Sequence, residues 1–213
     1  MLLKVRPHRT TQCQKPSGWL GRFIVKNMNS RHSKLTDWGL THIRVRDRDT
    51  ILDVGCGGGR TVKKLAALAT QGKVHGLDHS DVSVAIARKE NASAVASGRV
   101  EIHEGSVSEL PFATDTFDLV TAVETHFWWP DVPVGFREIH RVLKPTGTLL
   151  LVAEVYKGAN TAIARILTKH ISKTGIKLFT PDEHRDLLAD AGYSNIEVSD
   201  LPDKGWICAT AKK

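Results

Sequence analysis

The run Ile51-Leu52-Asp53-Val54-Gly55-Cys56-Gly57-Gly58-Gly59 is the stretch best suited to hold a ligand. Glycines where a strand hands over to a helix permit positive φ and let a ligand touch backbone N–H groups at the helix start. A dinucleotide fingerprint needs G-x-G-x-x-G to seat a pyrophosphate. Here Arg60 stands where its last glycine should be. A carboxylate at Asp53, aimed into the loop, repels a pyrophosphate and attracts a cationic amine. At the end of the next apolar run, in His75-Gly76-Leu77-Asp78-His79-Ser80, Asp78 can accept two hydrogen bonds from the vicinal hydroxyls of a ribose. Together the two carboxylates ask for a nucleoside with a free ribose and a positively charged, phosphate-free appendage.

A second run able to do chemistry is Val123-Glu124-Thr125-His126-Phe127-Trp128-Trp129-Pro130-Asp131. Glu124 and His126 are a titratable pair, and Phe127, Trp128 and Trp129 offer apolar walls. In an open α/β sheet the substrate lies beyond the carboxyl ends of the strands. His126 and Glu124 are therefore candidate catalytic residues, with Glu124 equally a candidate near the cofactor. Trp128 and Trp129 are candidate walls of the acceptor site. No spacing in the sequence marks a metal site.

These residues need elements to position them. Short apolar runs over residues 50–54, 74–78, 99–103, 117–123 and 148–155 read as strands. Helical spacing falls between them over residues 61–69, 82–96 and 132–143. Alternating strands and helices, with strands apolar on both faces, argue a parallel sheet covered on both sides. Thr180 with Glu183 forms a capping-box pattern that opens a helix over residues 181–191, and Gly192 stops it. Residues 195–199 and 206–211 then read as a hairpin added to the sheet. Ahead of all this, residues 1–17 read as a basic flexible tail. Residues 18–48 read as a helical cap, with helices over residues 19–28 and from Ser33 through Leu40 and Ile43. Residues 49–213 form the ligand-binding domain. The segment 156–180 is a place for substrate-specific insertions, with Arg165, Lys169, Lys173 and Lys177 along one side.

Of the 213 residues, 41% are hydrophobic and 25% charged, the composition of a globular protein. The longest apolar run, residues 148–153, is strand-sized and too short to span a bilayer. Lys4, Arg6 and Arg9 come too early for a secretory h-region, so a cytoplasmic location is expected. Cys13, Cys56 and Cys208 are scattered and odd in number, which excludes a disulfide framework and a Cys-based zinc site. The net charge of +7 is uneven: residues 1–48 hold 11 Lys/Arg against Asp37 and Asp47. A basic arm of this kind favours acidic partners.

The motifs Asp53-Val54-Gly55-Cys56-Gly57-Gly58-Gly59, Asp78, Leu110-Pro111-Phe112 with Phe117-Asp118, and Arg141-Val142-Leu143-Lys144-Pro145 ahead of Gly147 carry a resemblance. Over residues 49–213 the chain resembles the class I S-adenosylmethionine-dependent methyltransferases, close to small ones related to ubiquinone and menaquinone biosynthesis enzymes. The resemblance implies a Rossmann-like α/β fold: seven strands, mostly parallel, with a reversed C-terminal strand. It implies S-adenosylmethionine as cofactor, its methionine end at Asp53 and the loop of Gly55, Cys56, Gly57 and Gly59. Asp78 would then take the ribose, His79 would lie beside the adenine, and Ser106 and Val107 near its edge. Ser106 stands where the family commonly has Asp. The segment 19–40 also resembles the N-terminal stretch of a small bacterial subgroup, which implies that Asn29 and His32 lie near the active site, with Asn29 on the substrate and His32 as a catalytic candidate. The implied activity is methyl transfer to a small-molecule or peptide acceptor, with O-methylation one form. RNA methylation through the basic arm and a nicotinamide-dependent oxidoreductase stand as alternatives, and a nucleic-acid partner is not favoured.

Overall fold

The computed structural model describes residues 33–169 and 176–213, the first stretch without the side chains of residues 167–169. The expected tail, the helix over residues 19–28, and the candidates Asn29 and His32 lie outside the described residues. Seven strands form one sheet in the order β3-β2-β1-β4-β5-β7-β6. They are β1 (Thr50–Val54), β2 (Lys73–Asp78), β3 (Val100–Glu104), β4 (Phe117–Val123), β5 (Leu143–Ala153), β6 (Ser194–Leu201) and β7 (Trp206–Lys212). The first five pair in parallel, whereas β7 runs antiparallel to both β5 and β6. This is the mostly parallel α/β sheet with a reversed C-terminal strand that the resemblance implied.

The helices are α1 (Ser33–Leu40), α2 (Arg60–Leu68), α3 (Asp81–Glu90), α4 (Ala92–Ala96), α5 (Val132–Val142), α6 (Ala162–Lys169) and α7 (Pro181–Asp190). Two apolar clusters lie on opposite faces of the sheet. One packs Leu52, Leu77, Val120 and Leu149 with Phe136 and Ile139 of α5 and Leu188 of α7. The other packs Ile51, Val74, Leu119 and Val152 with Leu35 of α1, Val62 and Leu65 of α2, and Val84 of α3. Gly39 lets α1 approach closely, since a Cβ there would stand 2.4 Å from Val152 Cγ2. Helix α1 is thus part of the core of the sheet, although the sequence reading grouped it with the cap.

Two local features depart from the sequence reading. The single helix expected over residues 82–96 is broken at Asn91. Its buried amide donates to the carbonyls of Ala87 and Gly59, each at 2.9 Å, so α3 ends there to tie itself to the glycine loop. Strand β5 also starts earlier than residue 148. The register between β4 and β5 jumps from Phe117↔Leu143 to Leu119↔Thr148. The intervening residues include Thr146 at φ 69°. Regular pairing resumes at Thr148, where the apolar run begins.

The C-terminal reading holds in detail. Thr180 accepts from the Glu183 N–H at 3.1 Å and Glu183 Oε2 from the Thr180 N–H at 2.7 Å, closing the capping box. Gly192 adopts φ 95° after α7.

Candidate active site

The glycine loop leaves β1 and enters α2, and its glycines do different work. Gly55, at φ 70°, faces Thr125, whose Oγ1 would lie 2.0 Å from an added Cβ. Gly59, at φ 79°, lies against α3, with Asn91 Nδ2 and Ala87 within 2.8 Å of an added Cβ. Gly57, at φ 52°, has nothing among the described residues within 4 Å of the same position. Gly55 and Gly59 therefore serve close packing, and Gly57 is the position at which a ligand can approach the backbone.

The loop's N–H groups are largely used within the protein. Gly55 and Cys56 both donate to Leu77 O, at 2.7 and 3.0 Å, and Gly59 donates to Cys56 O at 2.9 Å. Gly57 donates to Asp78 Oδ2 at 2.9 Å. Expected hydrogen bonding from these four N–H groups to a ligand is therefore not what the geometry offers. A diphosphate needs a ring of N–H donors, and four here are already satisfied. Cys56 likewise points inward: its side chain is buried in the α2–α3 core and burial pushes its thiol well up. Its place in the site is through the backbone.

Asp78 ends β2 and is fixed from two sides. Oδ2 takes the Gly57 N–H, and Oδ1 takes the Ser80 N–H at 2.9 Å. Each carboxylate oxygen carries two lone pairs, so a planar acceptor with spare capacity is held beside Gly57. His79 is exposed next to it, with Nδ1 3.7 Å from Asp78 Oδ1. The Gly105 N–H donates to Asp78 O at 3.0 Å, which brings the end of β3 and Ser106 alongside. Ser106 Oγ accepts from the Ser108 N–H at 3.2 Å, while the Val107 side chain lies in the core.

Asp53 is 2% exposed, deeper than a residue aimed into the loop would be. Thr121 Oγ1 of β4 donates to its Oδ1 at 2.6 Å. Burial pushes its carboxyl up to about 7, the Thr121 hydrogen bond pulls it down, and the charge of Asp78 pushes it up. A cation arriving nearby would favour the ionised form.

The loop after β4 is a different environment. Glu124 sits at φ 59°, a region in which a non-glycine residue is strained, and its carboxylate accepts from the Glu154 N–H. Glu124 thereby ties β4 to β5. His126 opens a short 3-10 turn, His126–Trp128, and is 2% exposed. Its Nε2 lies 3.0 Å from His184 Nε2, and His184 Nδ1 lies 2.8 Å from Thr180 O. A carbonyl only accepts, so His184 Nδ1 carries a proton. Burial lowers the pKa of both rings, so each is neutral at neutral pH. His184 Nε2 then accepts from His126 Nε2–H, and His126 Nδ1 is left as a buried lone pair without a partner among the described residues. Trp129 is core: it packs on Gly135 and Phe136, and its Nε1 donates to Thr125 Oγ1 at 3.2 Å. Trp128 is half-buried beside Phe127. Lys177 holds the carbonyls of Trp129 and Pro130, so its ammonium pins this loop.

The later motifs work structurally. Arg141 donates to Phe112 O and Leu110 O and pairs with Glu138, which accepts from the Leu110 N–H. Asp118 takes the Thr50 N–H and the Lys144 ammonium, each at 2.8 Å. These links lock the 110–118 segment and the amino ends of β1 and β4. A surface cavity of about 700 Å³ lies near that same end, lined by Arg44, Asp49, Asp118 and Lys144, away from Asp78.

Comparison with known proteins agrees with this geometry. A family model described as a methyltransferase domain matches residues 51–147. An uncharacterised methyltransferase of Bacillus subtilis, YdaC, is 28% identical over 191 residues, covering 87% of this chain and 95% of its own. The Penicillium expansum O-methyltransferase cnsE is 28% identical over 151 residues, covering 71% of this chain and 54% of its own. The chain spans about half the length of several other curated relatives it matches. Among solved structures, a SAM-dependent methyltransferase from Aquifex aeolicus superposes with a TM-score of 0.73 at 18% identity, covering 90% of this chain and 97% of that one. The ubiquinone-related subtype has no separate support among these relatives. No helix among the described residues is long and apolar enough to cross a membrane.

Proposed function

The chain belongs to the class I S-adenosylmethionine-dependent methyltransferases, and from that premise we propose that it methylates an oxygen of a small-molecule or peptide acceptor. One observation carries the reading: a doubly anchored carboxylate, Asp78, stands beside Gly57, a loop glycine that among the described residues is open to a ligand. That arrangement fits the ribose of S-adenosylmethionine, the cofactor the family and fold imply. When bound, this cofactor supplies a methyl group on a sulfonium, already joined to a good leaving group.

The protein's own residues then have three tasks. Asp78 accepts from the ribose hydroxyls, and Gly57 lets the cofactor lie against the backbone. Asp53, from below, supplies negative potential toward the cationic methionine end. The loop of residues 124–131 aligns the acceptor and excludes water, which is most of what an in-line displacement requires.

A base is needed only when the nucleophile arrives protonated. His126 has its lone pair sealed in the protein, and Glu124 braces Glu154, so neither geometry favours proton abstraction from an acceptor. Among the described candidates this favours an acceptor already ionised at neutral pH, such as a carboxylate or an acidic hydroxyl. The O-methyltransferase names among the relatives support the same atom. Incubating the protein with S-adenosylmethionine and a panel of carboxylic acids, phenols, acidic peptides and RNA, with mass detection of methylated products, tests this. Methyl esters or ethers are expected. Methylated RNA with no small product would replace this reading by the RNA alternative.

A further inference from the structure

On the edge of the sheet, away from Asp78 and the glycine loop, three potential metal-ligand side chains meet. His75 comes from β2, and Glu101 and His103 come from β3. Residues two apart on a strand share a face, so Glu101 and His103 point the same way. The parallel register pairs His75 with Glu101 and Leu77 with His103, which sets the His75 ring between the two. The alternate residues Val100 and Ile102 fill the core on the other face.

The donor atoms converge. His75 Nδ1 is 3.1 Å from His103 Nε2 and 3.5 Å from Glu101 Oε2, and His103 Nε2 is 3.6 Å from the same oxygen. Four ligands about 2.1 Å from a tetrahedral ion stand about 3.4 Å from one another. The three separations bracket that edge. We propose that His75, Glu101 and His103 form a three-ligand site for a divalent transition metal of the zinc type, with a fourth position open to solvent.

The surroundings fit a ligand set. Lys73 Nζ takes the other oxygen of Glu101, Oε1, at 2.6 Å, so the carboxylate is oriented with Oε2 toward the rings. Outer partners of this kind commonly fix metal ligands. Phe112 and Phe117 back the site, with ring centroids 5.6 and 5.5 Å from His75 and Phe112 5.1 Å from His103. His75 is nearly buried, whereas the Glu101 and His103 side chains are 43% and 31% exposed, which leaves the outward side accessible. Burial favours neutral imidazoles at both histidines, and neutral imidazole is the form that ligates. Two imidazoles with one carboxylate select zinc, cobalt, nickel or copper over magnesium or calcium, which prefer all-oxygen sites. Without metal one ring nitrogen donates to the other across the 3.1 Å contact; for the ion to bind, that proton moves to the donor ring's other nitrogen, so that both facing nitrogens present lone pairs. Bound there, it would clip the edge strand β3 to β2.

The test uses the purified full chain after chelator treatment, titrated calorimetrically with zinc chloride and, separately, with cobalt followed by visible absorption. One equivalent per chain is expected, with a four-coordinate cobalt spectrum and a raised Tm. Glu101→Gln and His103→Gln alter the partly exposed ligands. Each should weaken zinc at least ~10–100-fold, the usual cost of losing even an outer-shell partner, with S-adenosylhomocysteine binding unchanged. Absence of saturable zinc binding, or unaltered affinity in either variant, overturns the proposal.

Discussion

The ends of β1 and β2 and the end of β4 lie on the same edge of one sheet, yet they are built on opposite principles. At the first, polar groups satisfy one another and still leave an outward face: Asp78 is held by two N–H groups, and Gly57 is open among the described residues. At the second, polar groups are driven inward. His126 is enclosed by Phe127, Trp129, Phe179 and His184, and one of its nitrogens has no partner among the described residues. The comparison teaches that the half proposed to hold the cofactor is preformed by backbone geometry. The half proposed to face the acceptor is packed like a core around His126.

The sharpest way to break the contrast is at Asp78. Two charge-assisted hydrogen bonds to ribose are each worth about 1.5–3 kcal/mol. Asp78→Ala should therefore cut S-adenosylhomocysteine affinity at least ~100-fold by calorimetry. A loss under threefold would mean that the ribose lies elsewhere.

Gly55→Ala should cost about 3 kcal/mol of stability in chemical denaturation, because a Cβ at positive φ would also strike Thr125. Gly57→Ala pays only the backbone part and should cost about 1–2 kcal/mol of stability, while binding falls more steeply than at Gly55. The reverse order of stabilities would contradict the roles assigned to the two glycines.

The β4 loop is probed by pH. The folded pKa of His126 lies well below 6.5, so below pH 6.5 the unfolded chain binds a proton that the folded one refuses. Stability thus falls as pH drops through 6.5, by up to about 1.4 kcal/mol per unit for this group. His126→Phe should flatten the slope by that amount, read from denaturation curves between pH 5 and pH 7. An unchanged slope would show that the ring is not sealed.

The smallest effect is at Asp53, whose folded pKa of about 7 exceeds the unfolded 3.8. The folded state then holds a proton the unfolded state has lost, and stability declines as pH rises between those values. Asp53→Asn should raise stability at pH 8 by about 1–2 kcal/mol while weakening S-adenosylmethionine binding. In the parent protein that binding should tighten as pH rises through 7. A pH-independent affinity would remove Asp53 from cofactor recognition.

Much of the sheet was legible because buried parallel strands are short apolar runs, and residues 50–54 and 117–123 match β1 and β4 to the residue. Asp78 and the glycine loop were legible because a strand–glycine–helix junction and a strand-end carboxylate are local patterns. The break at Asn91 was not, since it depends on a carbonyl of Gly59 distant in sequence. Nor was the use of the loop N–H groups by Leu77 O, which exists only once β1 and β2 are paired. His126 read as a substrate-facing base because burial is decided by Phe179 and His184, contributed by a later helix and its approach. His75 and the Glu101-x-His103 pair meet only through strand register. A Glu-x-His on a strand was the one available signal, and it is weak by itself.

The account stands on what the preformed half accepts. Titrating the purified full chain with S-adenosylhomocysteine and, in parallel, with NADH reads this directly. The prediction is saturable one-to-one binding of the nucleoside and no heat from the dinucleotide. Binding of NADH, with none of S-adenosylhomocysteine, would contradict it.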